Sequence, residues 1–171
     1  MEKQNFDGPK AAVIMGSDSD LPIVRKAIEV LKKFNVDFEV SILSAHRTPD
    51  LAAEYARLAE EKGIEVIIAA AGKAAHLPGV IAAYTTLPVI GLPIKSSTMD
   101  GLDSLLSIVQ MPSGIPVATV AIDGAQNAGL LAVQMLSIKY ETLKDALKKY
   151  KKELEKEVLN KNNKIQQEIF A

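Results

Sequence analysis

The stretch that decides the fold is "AAVIMGSDSDLP", which runs from Ala11 to Pro22. Five apolar residues lead into a turn that begins with Gly16 and Ser17. A continuous apolar run of this length is typical of a strand that is buried on both faces of a parallel sheet. Proline is favoured in the first turn of a helix, where its missing N–H is not needed. The stretch therefore predicts a buried strand, a glycine turn and a helix.

The same strand-to-helix pattern recurs along the chain. Further short apolar runs are "VIIAA" (Val66 to Ala70), "PVIG" (Pro88 to Gly91) and "VATVAI" (Val117 to Ile122). The run "FEVSIL" (Phe38 to Leu43) begins with alternating apolar and polar residues, as a half-covered edge strand would. Apolar residues at helical spacing follow Pro22 and Pro49. This alternation predicts an α/β domain of three layers, α/β/α, around a parallel sheet.

The alternating run is second in sequence, so an edge position for it makes the strand order 2-1-3-4-5, which is flavodoxin-like. We expect one domain over residues 1–171, with a core at 11–138 and a C-terminal helical extension at 141–171. The extension is rich in Lys and Glu and carries one narrow apolar stripe: Leu143, Leu147, Tyr150, Leu154 and Val158. A stripe this thin suits packing on the chain's own domain and packing on a neighbouring subunit equally well.

Composition excludes several classes of function. The chain of 171 residues has no cysteine, so thiol nucleophiles, thiolate metal sites and disulfides are ruled out. A formal net charge of -1 argues against a nucleic-acid binder with a broad basic surface. There is no apolar run near the ~20 residues that span a bilayer, and no apolar signal-peptide core at the amino terminus. We expect a cytoplasmic protein with a small-molecule partner and no membrane contact.

Four polar loops follow predicted strands and should meet at one edge of the sheet, where open α/β sheets bind ligands. They are "GSDSDLP" (Gly16 to Pro22), "SAHRTP" (Ser44 to Pro49), "AGKAAHLPG" (Ala71 to Gly79) and "LPIKSSTMDGLDS" (Leu92 to Ser104). Both histidines of the chain fall in this set. The predicted strand order places His46 and His76 on opposite sides of the first loop.

The first loop has the features of half a phosphate site. Gly16 lets the backbone approach a ligand, the following helix start offers unpaired N–H groups, and Ser17 and Ser19 add donors. Small-residue turns of this kind are also ordinary connections in α/β proteins, and the loop alone does not decide between the two. Asp20 either caps the helix or accepts hydrogen bonds from sugar hydroxyls.

The other loops supply a cation and two imidazoles. Arg47 can hold a phosphate in two places with its planar guanidinium. His46 is either a general acid/base or a histidine satisfied by nearby backbone, whereas a capping or packing role is favoured for His76. Lys73 is either a ligand cation or a solvated loop charge. The two histidines lack the spacing of a metal site, and the chain has no GxGxxG and no Walker motif.

Taken together, the motifs resemble those of the PurE family of purine biosynthesis over Ala11 to Ile138. The resemblance rests on "MGSDSDLP", "SAHRTP", "AGKAAHLPGV", "LPVIGLPIKSSTMDGLDSLLSIVQMPSGIPVATVAI" and "NAGLLA", in this order and spacing. Within the family, "AAHLPG" looks like the form found in N5-carboxyaminoimidazole ribonucleotide mutases. Two positions depart from the family pattern: Lys73 stands where glycine is usual, and Val80 where methionine is commoner.

The resemblance implies a metal-free, cofactor-free and ATP-independent migration of a carboxylate from the exocyclic nitrogen of a ribonucleotide to ring carbon C4. It implies that His46 transfers the proton, that Ser17, Ser19, Ser44 and Arg47 bind the phosphate, and that Asp20 binds a ribose hydroxyl. It also implies a homo-oligomer, an octamer in this family. The remaining residues of the expected substrate site are Gly16, Ala45, Gly72, Lys73, Ala74, His76 and Leu77.

Three alternatives differ in class. A direct aminoimidazole ribonucleotide carboxylase would share the fold and the product but use free CO2, and "AAHLPG" disfavours it. A non-catalytic, flavodoxin-like nucleotide-binding module is disfavoured for flavin by an aromatic content of only 5%. A signalling domain that is phosphorylated on aspartate needs a clustered acidic site, for which Asp18 and Asp20 are a poor match.

Overall fold

The computed structural model describes residues 8–170, and in these residues five parallel strands form one sheet. The strands are β1 (Lys10–Met15), β2 (Asp37–Ile42), β3 (Val66–Gly72), β4 (Val89–Ile94) and β5 (Ala118–Thr119). Their order across the sheet is β2-β1-β3-β4-β5, and every neighbouring pair is parallel. The predicted strand order is confirmed, including the edge position of the second strand.

Helices cover both faces of the sheet, which confirms the three layers. The helices are α1 (Leu21–Lys33), α2 (Pro49–Leu58), α3 (Leu77–Ala83), α4 (Leu102–Val109), α5 (Ala125–Leu136) and α6 (Glu141–Phe170). One buried cluster joins α1, α5 and the start of α6 to one face, and a second joins α2, α3 and α4 to the other. Pro22 and Pro49 lie in the first turns of α1 and α2, as predicted.

The strand β1 shows why its sequence is apolar throughout. Successive side chains of a strand point to opposite faces, and both faces are covered here. Val13 and Met15 pack in the cluster with α1 and α5, whereas Ala12 and Ile14 pack in the cluster with α2 and α3. No polar side chain fits at these positions without losing its hydrogen bonds to water.

The last strand is much shorter than the predicted run from Val117 to Ile122. Backbone N–H groups of Val120 and Asp123 donate to the carbonyls of Gly91 and Pro93, so these two residues of β4 face β5. Pro93 has no N–H to return, and the regular pairing stops after Gly91 and Thr119. The expectation of a six-residue strand was wrong because the neighbouring strand lacks a donor. By contrast, β4 extends to Ile94, three residues beyond the prediction.

The apolar stripe of α6 divides into two parts. Leu143, Leu147 and Tyr150 pack against the cluster around α1 and α5, and the Tyr150 ring meets Phe34 edge to face at 5.7 Å. From residue 151 onward every described residue of α6 is exposed, including the stripe residues Leu154 and Val158. The predicted long C-terminal helix is confirmed, and only its first three turns lie on the domain. Within residues 8–170, no helix is long and apolar enough to cross a membrane.

Candidate functional site

A cavity of about 590 Å³ lies at the carboxyl edge of the sheet, where the loops after β1, β2, β3 and β4 meet. All thirteen residues predicted for the site line this one cavity. They are Gly16, Ser17, Ser19, Asp20, Ser44, Ala45, His46, Arg47, Gly72, Lys73, Ala74, His76 and Leu77. The fold therefore gathers them in one place, although their individual roles stay predictions.

The loop after β1 presents hydroxyl groups from a tight turn. Gly16 continues the sheet by donating its N–H to the carbonyl of Ala70 at 3.1 Å. The hydroxyl oxygen of Ser17 then accepts from the N–H of Ser19 at 3.3 Å and from the Ser19 hydroxyl at 3.0 Å. A short 3-10 turn, Asp18–Asp20, leads directly into α1. Two hydroxyl groups and the start of a helix thus face the same cavity.

Asp20 is a carboxylate that the fold removes from water. It is only 7% exposed, and burial raises the pKa of this carboxyl above its ordinary value, while hydrogen bonds from Ser19 and Ser17 oppose the shift. Its side chain makes no capping hydrogen bond to α1, although the residue occupies the N-cap position. The capping role is therefore not seen, and acceptance of a ligand hydroxyl is the remaining option from the sequence.

The loop after β2 folds back on itself and carries Arg47 towards β1. Thr48 donates its hydroxyl to the carbonyl of Ser44 at 3.1 Å and accepts from the Ser44 N–H at 3.0 Å. The Ser44 hydroxyl oxygen accepts from the N–H of Arg47 at 3.1 Å. From this position the Arg47 Nη2 donates to the carbonyl oxygen of Gly16 at 3.2 Å. The guanidinium therefore lies beside the hydroxyl groups of the first loop.

The two histidines meet across the cavity. The Nε2 atom of His46 lies 2.8 Å from Nδ1 of His76, and the rings are nearly perpendicular with centroids 5.0 Å apart. When both rings are neutral, one of these two nitrogens donates and the other accepts. His76 occupies the N-cap position of α3, but its side chain makes no capping hydrogen bond; of the expected capping or packing role, only packing, against His46, is seen. Both side chains reach solvent through the cavity.

The structure adds lining residues that the sequence did not single out: Ala71, Ile94, Lys95 and Ser96. The register of β3 and β4 pairs Gly72 with Ile94, so the residues after the two strands emerge side by side. The length of β4 was the missing signal. A strand that ends at Gly91 would leave Lys95 several residues into a loop, whereas one that ends at Ile94 places it at the sheet edge.

The loop after β4 has an unusual backbone that buried hydrogen bonds hold in place. Met99 and Asp100 both have positive φ values, 51° and 53°. The Ser104 side chain is fully buried, and its hydroxyl lies 2.9 Å from the carbonyl oxygen of Ile94 and 2.8 Å from that of Gly101. The loop is thereby tied to the end of β4, beside the cavity. Across residues 8–170, no group of three or more His, Asp or Glu side chains has the arrangement of a metal site.

Comparisons with known proteins agree with the geometry. A family model described as AIR carboxylase matches residues 10–157. The chain is 65% identical over 148 residues to the N5-carboxyaminoimidazole ribonucleotide mutase of Pyrococcus abyssi, covering 86% of this chain and 85% of that one. It is 58% identical over 159 residues to the protein of the same name from Thermotoga maritima, covering 93% of each.

A solved structure agrees as well. The crystal structure of Treponema denticola PurE superposes with a TM-score of 0.83 at 27% identity, covering 92% of this chain and 99% of that one. The family match, the sequence identities and the superposition each cover most of the chain. On these grounds the chain belongs to the AIR carboxylase family, the family of the PurE proteins.

Proposed function

We propose that this chain is an N5-carboxyaminoimidazole ribonucleotide mutase, an isomerase of purine biosynthesis that forms 4-carboxy-5-aminoimidazole ribonucleotide. The function follows from curated relatives of that name at 58–65% identity over most of both chains. The observation that gives it a mechanism is the contact between His46 and His76 in a cavity that Arg47 also lines. The direct carboxylase is not favoured, because these relatives are named as mutases.

The reaction breaks one N–C bond and forms one C–C bond. Protonation of the exocyclic nitrogen weakens the carbamate, which releases CO2 and leaves a neutral aminoimidazole whose C4 is nucleophilic. C4 attacks the retained CO2, and loss of the C4 proton restores the aromatic ring. In the net change the proton on C4 and the carboxylate on nitrogen change places, so the reaction consumes no oxidant and no nucleoside triphosphate.

His46 is our candidate for both proton transfers. An imidazole side chain can both donate and accept a proton, so it can donate to nitrogen in the first step and accept from C4 in the last. Its Nε2 lies against His76 in this structure. If that contact persists with substrate bound, Nδ1 of His46 is the nitrogen left for the reaction. His76 then acts as a positioning residue that fixes the ring of His46.

The phosphate of the ribonucleotide is assigned to the part of the cavity formed by the loop after β1. The hydroxyls of Ser17 and Ser19, the start of α1 and the Arg47 guanidinium converge there, with Ser44 holding the Arg47 backbone. Asp20 accepts a ribose hydroxyl, which suits a carboxylate that is otherwise short of water. Anchoring the nucleotide makes recapture of CO2 effectively unimolecular, an advantage worth up to about 7–11 kcal/mol.

The first test is turnover with EDTA present and ATP absent. We expect product from N5-carboxyaminoimidazole ribonucleotide at low CO2, and little product from aminoimidazole ribonucleotide plus bicarbonate. Product only from the second mixture, rising with CO2, would make the chain a carboxylase. Binding of nucleotide without turnover in either mixture would leave the non-catalytic module.

The second test separates chemistry from binding. His46→Asn should lower kcat by about 10²–10⁴, the usual contribution of a general acid/base. It should leave the dissociation constant of aminoimidazole ribonucleotide nearly unchanged, since the phosphate end is untouched. Arg47→Met is the matched comparison, and it should weaken binding of the same nucleotide. A His46→Asn protein that loses binding and turnover together would contradict the assignment.

Assembly into a homo-oligomer, with an octamer as the expected form, is part of the same proposal. It is supported by exposed apolar side chains on one side of α4, namely Leu102, Leu106 and Val109, and by those of α6 beyond residue 150. Light scattering of the full chain should give eight subunits, and deletion of residues 151–171 should give a smaller or weaker assembly. An unchanged assembly after this deletion would remove α6 from the interface. The cytoplasmic location stays a prediction from the sequence.

A further inference from the structure

Lys73 adopts a backbone conformation that a side chain makes unfavourable. Its φ is 57°, in the left-handed region that glycine occupies freely and that other residues enter at a cost in free energy. Such positions persist where the surrounding structure enforces them, and they cluster at functional sites. The folded protein would be less strained with glycine at this position. A lysine that persists here despite the strain is a candidate for a function of its side chain.

The ammonium group of Lys73 has no protein partner in the part of the chain from 8 to 170. Lys95, which emerges beside it at the end of β4, forms a salt bridge with Asp100 at 3.1 Å. Lys73 makes no salt bridge and no side-chain hydrogen bond among the described residues, yet it lines the cavity together with His46 and Arg47. An exposed cation that lines a cavity and has no carboxylate partner among these residues is suited to an anionic ligand.

Arg47 and Lys73 stand on opposite sides of β1. Arg47 is on the loop after β2 and Lys73 is on the loop after β3, and β1 lies between these strands. Two strand spacings of ~4.8 Å separate the ends of β2 and β3, from which these loops start, by about 10 Å. The proposed substrate carries two anionic groups that its ribose holds apart, the phosphate and the carboxylate. Among residues 8–170 neither Arg47 nor Lys73 forms a salt bridge, so the cavity offers one cation to each anion.

We propose that Lys73 binds the carboxylate that migrates, and that it makes the site selective for carboxylated over decarboxylated aminoimidazole ribonucleotide. The inference rests on the proposed function, since it takes that substrate as the ligand. Lys73 interacts with the carboxylate on nitrogen before the reaction and with the carboxylate on C4 after it. It gains little from the neutral CO2 formed in between. Stabilising the two ends in this way lowers KM and does not raise kcat.

The test compares two ligands in four proteins by calorimetry. The ligands are 4-carboxy-5-aminoimidazole ribonucleotide and aminoimidazole ribonucleotide, which differ only in the carboxylate. Lys73→Met removes the charge and keeps the Cβ, Lys73→Gly removes the charge and relieves the backbone, and Lys73→Arg keeps a cation. Charged hydrogen bonds of this kind are worth about tenfold or more in affinity.

We expect Lys73→Met and Lys73→Gly to weaken binding of the carboxylated ligand by about tenfold. Affinity for aminoimidazole ribonucleotide should stay within about twofold, and Lys73→Arg should restore selectivity. In turnover assays of the two uncharged variants, KM should rise while kcat stays the same or increases. Lys73→Gly should also melt at a higher temperature than Lys73→Met, because it relieves the strained φ.

Two results would overturn the proposal. Equal weakening of both ligands would place the ammonium at the phosphate, and unchanged binding of both would show that it contacts neither. Failure of the proposed function looks different, because the wild-type protein would then not turn over N5-carboxyaminoimidazole ribonucleotide, whether or not it binds the carboxylated ligand.

Discussion

Replacement of Gly129 by alanine tests how closely α1 and α5 must pack to hold the site. Gly129 lies in the middle of α5, and its Cα faces α1. A Cβ added there would lie 2.8 Å from the Cβ of Val30 and 2.9 Å from the carbonyl oxygen of Ala27. Neither atom moves when a side chain changes rotamer, because one is a Cβ and the other belongs to the helix backbone. The two helices must therefore separate.

Two opposing effects set the magnitude. Carbon atoms pack at about 3.5–4.0 Å, so the helices must move apart by about 1 Å. Overpacking of this kind costs about 1–3 kcal/mol, and contact with fixed atoms favours the upper half of that range. Alanine also stabilises the helix by about 1 kcal/mol relative to glycine, because glycine has a low helix propensity. The net loss is about 1–2 kcal/mol, which lowers Tm by about 2–8 °C in a chain of this size.

The assay is thermal and urea unfolding of the full chain at one fixed protein concentration, since assembly would otherwise shift Tm. Asn127→Ala is the matched control, because Asn127 is exposed in the same helix and gains helix propensity without a clash. We expect Asn127→Ala to melt slightly higher than wild type and Gly129→Ala to melt lower. Since α1 starts beside the loop that contains Asp20, the second variant should also show a raised KM. A Gly129→Ala protein as stable as the control would refute the reasoning.

Three further predictions concern the buried groups Asp20 and Ser104 and the half-buried Tyr55. Burial raises the pKa of Asp20, so the folded protein is most stable with respect to this group below pH 3.8, and that stability is lost as pH rises through the raised pKa. Asp20→Asn should therefore raise Tm at pH 7, and the gain should shrink towards pH 3.8. The same variant should weaken nucleotide binding. Burial, and then the charge of Glu39, raises the pKa of Tyr55, so above pH 10 this phenol ionises more readily in the unfolded chain than in the folded one. Wild type should therefore lose stability above pH 10. Urea unfolding over the same pH range should show a smaller loss for Tyr55→Phe. Ser104→Ala should cost about 1–3 kcal/mol, because it removes a single buried hydroxyl donor that lies between the carbonyl groups of Ile94 and Gly101. It should also raise KM by loosening the loop at 95–101. An unchanged urea midpoint would show that water replaces the hydroxyl.

Much of the fold could be predicted because its signals are local. Runs such as "AAVIM" must be buried on both faces, and proline at the start of a helix marks the turn before it. The edge position of β2 followed from its alternation and is confirmed, but its apolar side chains Val40 and Ile42 are not the covered ones. They are 43% and 57% exposed, whereas Glu39 and Ser41 are half-buried. The extent of β5 was not local. It depended on Pro93 of the neighbouring strand, which faces β5 and has no N–H to donate to it.

The candidate site followed the same division. Residues on loops after strands could be assigned to one edge of the sheet, because parallel strands end there together. The contact between His46 and His76, the backbone of Lys73 and the lining role of Lys95 depend on how far each strand extends and how the loops turn back. Those lengths and angles are set by pairing between distant segments.

The sequence by itself determined the layer architecture, the strand order and the set of residues that meet at the carboxyl edge, because hydrophobic periodicity and turn residues act over a few positions. Only the tertiary structure decided that His46 contacts His76, that Asp20 is desolvated without capping α1, and that α6 leaves the domain after Tyr150. These features arise from distances between segments far apart in the chain. Such distances depend on the packing of the whole core, which no local pattern specifies.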